Sequence, residues 1–101
     1  MSAPKASGTL TVTAKDIAFD KECLAAPADQ AFTVTLENKD TLPHNVAILK
    51  THESTDTLFS GNLVSGPDKS TTYNVSALPA GSYHFHCNVH PDQMKGTFLV
   101  K

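Results

Sequence analysis

A chain of 101 residues has room for one domain and a single modest core. Its 40% apolar content is that of a globular protein and argues against disorder. With a formal charge of −2, eight lysines and no arginine, it lacks the basic stripe of a nucleic-acid binder, and no apolar stretch approaches the roughly 20 residues that span a bilayer.

Taken in chain order, the elements read mainly as strands. Met1-Ser2-Ala3-Pro4 shows no charged segment followed by an apolar one, so no export signal is read there; the chain is either intracellular or processed. Thr9 to Ala14 alternates polar and apolar residues, and Ile17-Ala18-Phe19 reads as a further short strand. Cys23 reads as a core or edge thiol, followed by turn chemistry at Ala26-Pro27. Phe32 to Leu36 alternates again, with Phe32, Val34 and Leu36 on one face, and a turn follows over Asn38-Lys39-Asp40. Asn45 to Leu49 is a short apolar run. Between Thr51 and Leu58, with Glu53 and Asp56, a turn or two of helix is expected, and His52 reads as a surface loop residue. Turn residues at Gly66-Pro67-Asp68 and Leu78 to Gly81 bracket the alternating segment Thr71 to Val75. Tyr83 to Cys87 and Gly96 to Lys101 complete the set. Seven or eight short strands with frequent turns imply an all-β fold, an antiparallel sandwich or barrel.

The chemistry concentrates near the C-terminus. Cys87, His90 and Met94 form a C-x₂-H-x₃-M pattern in the connection between the last two expected strands. A thiolate, an imidazole and a thioether within eight residues suit a soft or borderline metal, and a second imidazole would complete a two-His, one-Cys, weak-Met copper set. His44, in Leu42-Pro43-His44-Asn45, stands where a loop enters the next strand and supplies that imidazole. Alternation along the Tyr83 segment turns Tyr83, Phe85 and Cys87 inward and His84 and His86 outward. Cys87 then leaves the core at a strand end, shielded from water as a tuned thiolate ligand needs to be.

Other readings of these residues compete. A single cysteine in an apolar strand is commonly a small core residue. Cys23 and Cys87 could pair, which would remove the ligand thiol. His84 and His86, two apart on one strand face, have the spacing of a chelating pair but read more readily as a solvated face. Cys87 beside histidines is also the raw material of a thiol hydrolase, but a chain of this length in strands offers no substrate cleft, so no enzyme activity is expected. Asn74-Val75-Ser76 matches a glycosylation sequon, a three-residue pattern common by chance.

With those residues in view, the chain resembles the cupredoxins, the family of plastocyanin, amicyanin, pseudoazurin and azurin, over nearly its whole length. Pro43-His44-Asn45-Val46 is similar to the segment that supplies the first ligand histidine, and Leu78 to Pro91 to the final hairpin and ligand loop. The resemblance implies a Greek-key β-sandwich with a type 1 site for one copper ion. His44, Cys87 and His90 would lie in the trigonal plane, with Met94 axial. Two departures stand out. Three residues separate His90 from Met94, as in azurins, while the Cys87–His90 spacing stays short, so the loop is a hybrid. Asn88 occupies a position where many members carry Ser or Thr, and an altered tie between Asn45 and the ligand loop is expected from it.

The function implied is one-electron transfer, as a monomer meeting redox partner proteins through an apolar surface around His90, Pro91, Leu42 and Pro43. The alternative is a copper-binding module for storage, delivery or sensing; a red-copper or enzymatic variant with Met94 unligated is a third. By resemblance the compartment is an oxidising one: periplasm, thylakoid lumen or outer cell surface.

Overall fold

The computed structural model describes residues 6–51 and 57–101. Ten strand segments run in order: β1 Thr9–Ala14, β2 Cys23–Ala26, β3 Phe32–Asn38, β4 Pro43–His44, β5 Ala47–Leu49, β6 Thr57–Ser60, β7 Val64–Ser65, β8 Lys69–Val75, β9 Gly81–His86 and β10 Lys95–Val100. Eight of these have three or more residues, and the described residues contain no α-helix. The expected helical turn before Leu58 falls mostly outside the described residues, as does His52; where the chain resumes, Thr57 and Leu58 already belong to β6.

Two sheets carry the fold, with orders β1-β3-β8 and β2-β10-β9-β5-β6, and β4 pairs with β7 as a two-residue ladder. The antiparallel expectation needs correction, because β1 runs parallel to β3 and β2 parallel to β10. These pairs come from segments that cross between sheets, which local alternation does not reveal. Ile17 to Phe19 forms only an isolated bridge, Ala14 to Phe19, since Asp16 and Ile17 take left-handed φ of 54° and 56° and turn the chain.

Alternation does what it should along β3, where Phe32, Val34 and Leu36 enter the core between partly exposed threonines. They meet Val12 and Ala14 of β1, Tyr73 and Val75 of β8, Phe85 of β9, and Phe98 and Val100 of β10. The aromatic rings link up across the sandwich: Phe19 to Phe85 at 5.5 Å, Phe85 to Phe98 at 6.3 Å and Phe98 to Phe32 at 5.4 Å between centroids. All three residues of β5 are buried, as expected of a strand flanked on both sides.

One register decides where the chemistry lies. Strand β5 runs antiparallel to both β6 and β9, with Ala47 opposite Ser60 on one side and His86 on the other. The start of β5 and the ends of β6 and β9 therefore share one pole of the sandwich. His44 lies just before β5, Gly61 just after β6, and Cys87 just after β9; the connection from β9 to β10 opens at the same pole.

Candidate metal centre

The solvated face expected for His84 also needs correction. Its neighbours in register are Leu49 of β5 and Thr97 of β10, so it lies inside the five-stranded sheet and is only 8% exposed. His86, at the strand end, is more open, and the two rings sit 5.6 Å apart edge to face. Cys87 is completely buried, as inward alternation requires.

The pole brings three sequence-distant donors together. Cys87 Sγ lies 3.8 Å from His44 Nδ1 and 4.0 Å from His90 Nδ1, and the donor atoms of all three lie within 4.8 Å of one another. His44 is fully buried, His90 half-buried, and the two rings meet at 5.0 Å with 61° between their planes. Met94 is fully buried in the same cluster of side chains as Cys87. Its loop is closed by two backbone bonds of 2.9 Å, from Cys87 N–H to Met94 O and from Met94 N–H to His90 O. The residue spacing thus folds the loop back on itself and returns Met94 to the strand end it left.

Buried asparagines brace the loops. The side chain of Asn45 accepts from the Asn88 backbone N–H at 2.8 Å and donates to Gly61 O at 3.0 Å. The expected alteration of this tie does not occur, because the donor at position 88 is the main chain and is indifferent to the side chain. The Asn88 side chain instead adds bonds of 3.0 Å to Ser60 Oγ and to His86 Nε2. Asn38, also fully buried, donates to Leu42 O and Val64 O.

Sequence reasoning missed Asp40, treating it as a turn residue. Its Oδ2 lies 2.7 Å from His44 Nε2, and its two oxygens accept the backbone N–H groups of Asp16 and Ile17 at 2.7 and 3.0 Å. Burial raises the Asp40 carboxyl, but the Ile17, His44 and Asp16 bonds outweigh it and hold it below the usual carboxylate value. The one sequence signal was an acid four residues before a histidine; the loop at Asp16 joins only in three dimensions.

The donor chemistry can be tested against a metal. With metal–nitrogen and metal–sulfur bonds of about 2.0 and 2.3 Å, a trigonal plane separates S from N by about 3.7 Å and a tetrahedron by about 3.5 Å. The observed 3.8 and 4.0 Å sit nearer the trigonal value. Two imidazoles, a thiol and a neighbouring thioether in a water-poor site fit one copper ion. Cys23 takes no part: it is half-buried in β2 opposite Thr97, and neither it nor Cys87 is in a disulfide.

Comparison with known proteins agrees with this geometry. No curated protein sequence matches the chain. Among solved structures, dithionite-reduced auracyanin from the photosynthetic bacterium Roseiflexus castenholzii superposes with a TM-score of 0.84 at 25% identity, over 96% of this chain and 99% of that one. Auracyanin A, a blue copper protein of Chloroflexus aurantiacus, gives 0.78 at 19% identity over 92% and 98%, a likeness of fold. Amicyanin from Paracoccus versutus gives 0.66 at 26% identity, over 92% and 81%. The family model for the cupredoxin-like domain matches residues 1–100, and the chain belongs to that family.

Proposed function

We propose that the chain is a single cupredoxin domain over residues 1–101 that holds one copper ion and carries single electrons. His44 Nδ1, Cys87 Sγ and His90 Nδ1 form the plane, and Met94 supplies the weak axial contact. The observation that carries this reading is the pair of sulfur–nitrogen separations, 3.8 and 4.0 Å, between donors from two distant segments. Bound copper would supply a one-electron couple between Cu(I) and Cu(II).

The protein's part is to keep the donors still. A backbone bond to Met94 O at the end of β9 holds Cys87, the Asn45 bonds join the two ligand loops, and Asp40 engages the far side of the His44 ring. A frame that need not rearrange between two charge states favours rapid transfer over metal delivery, which needs a site that opens. His90 is the donor nearest solvent. Leu42 and Val89, 42% and 44% exposed, lie with Pro43 and Pro91 in the segments that carry His44 and His90. That apolar surface suits brief docking of redox partner proteins by a monomeric carrier rather than turnover of a substrate. An oxidising compartment, periplasmic or extracellular, goes with this reading.

The test is the visible and EPR spectrum of the copper-loaded protein. The reading expects an intense visible thiolate-to-copper charge-transfer band, for thiolate in a trigonal plane. A pale protein with only weak d–d absorption would contradict it.

A further inference from the structure

Among the polar groups around the pole, Asp40 is the one whose geometry does more than hold the fold. Three donors converge on its carboxylate: the N–H groups of Asp16 at 2.7 Å and Ile17 at 3.0 Å, and His44 Nε2 at 2.7 Å. Asp16 and Ile17 are successive residues with φ of 54° and 56°. That backbone is costly for a β-branched residue, and here it turns two consecutive N–H groups toward one anion. The other side of Asp40 is fixed too, since its own N–H donates to Asn38 Oδ1 at 2.8 Å and Asn38 is tied to Leu42 and Val64. The carboxylate cannot turn away from His44.

An ionised carboxylate only accepts hydrogen bonds, so the proton of a neutral His44 must sit on Nε2. Its lone pair is then on Nδ1, the atom 3.8 Å from Cys87 Sγ. We propose that Asp40 is a positioning residue: it sets the tautomer and orientation of His44 and, through the ring, lends negative charge to the metal site. The proposal rests on the copper reading for its second half only. A carboxylate behind a ligand imidazole raises the basicity of the donor nitrogen. With His44 fully buried and the Asp40 side chain 14% exposed, solvent screens that charge only in part. The more highly charged metal state gains most, so Asp40 lowers the reduction potential. In Asp40→Asn one oxygen must serve three donors, and the new NH₂ group faces an N–H.

The first experiment needs neither metal nor mutation. Long-range ¹H–¹⁵N correlation on the metal-free protein at neutral pH should show His44 as the Nε2–H tautomer; an Nδ1–H tautomer overturns the proposal. In the second, Asp40→Asn should weaken Cu(II) binding 10–100-fold. Cu(I) binding should fall by a smaller factor, so the potential rises, and Asp40→Glu should recover part of the shift. Were Asp40 merely structural, both affinities would fall equally and the potential would stay put, which overturns the proposal. If the wild-type protein is not blue, the copper reading fails while the metal-free tautomer still judges Asp40. That measurement decides the positioning role even if both variants fail to fold.

Discussion

Replacing Asn45 by alanine separates bracing from ligation, because Asn45 carries no metal-binding atom in this account. The residue is 2% exposed, and both ends of its amide are engaged, with Asn88 N–H at 2.8 Å and Gly61 O at 3.0 Å. Asn45→Ala removes two neutral hydrogen bonds, each worth about 1 kcal/mol net, and strands a donor and an acceptor near the core. The expected loss is about 2–3 kcal/mol, allowing for partial entry of water. For a domain of this size that lowers Tm by roughly 10–20 °C. Urea unfolding of the metal-free protein reads the loss without interference from bound copper. Asn45→Asp makes a useful control: it keeps an acceptor for Asn88 N–H but sets a carboxylate oxygen against the Gly61 carbonyl, so it should also destabilise. A loss below about 0.5 kcal/mol in Asn45→Ala would place that variant among ordinary surface changes and refute the bracing role.

Two further outcomes are expected. Met94→Leu should keep copper and colour while raising the potential, since loss of a weak axial donor favours Cu(I); an unmoved potential would remove Met94 from the site, and loss of copper binding would contradict its weak axial role. Burial, helped by the charge of Cys87 and opposed by the Val46 N–H, pushes Tyr73 up to about 12. A phenol raised above its ordinary value of about 10 stabilises the fold fully below that pH, and the contribution disappears as pH climbs toward 12. Phenolate absorbance in Tyr83→Phe protein, followed alongside urea unfolding from pH 9 to 12, checks both. A Tyr73 titration near 10 with flat stability would count against this.

What the sequence disclosed and what it hid divide along physical lines. Period-two alternation exposed β1, β3, β8, β9 and β10, because each presents one face to the core and one to neighbours or water. Strand β2 escaped notice: Cys23-Leu24-Ala25-Ala26 is four residues long with its last three buried, so it has no alternation to read. The parallel pairings were invisible for a different reason, being set by crossovers between sheets. His44, Cys87, His90 and Met94 stood out because three of them crowd into one loop and the fourth enters a strand after a proline. Asp40 stayed hidden. Its role depends on two backbone N–H groups some twenty residues away, and main-chain donors have no signature in residue identity.

Everything rests on which sulfur meets the metal, and the paired thiol variants test that most directly. Cys87 is buried 3.8 Å from His44 Nδ1, whereas Cys23 lies in β2, on the far side of β10 from β9. Charge transfer at visible wavelengths needs a short bond to a deprotonated thiol, which a serine hydroxyl does not replace. Visible spectra of copper-loaded Cys87→Ser should show the intense band abolished. Cys23→Ser should keep it, at a cost of at most about 1 kcal/mol in stability. A blue Cys87→Ser, or a bleached Cys23→Ser, would contradict the account.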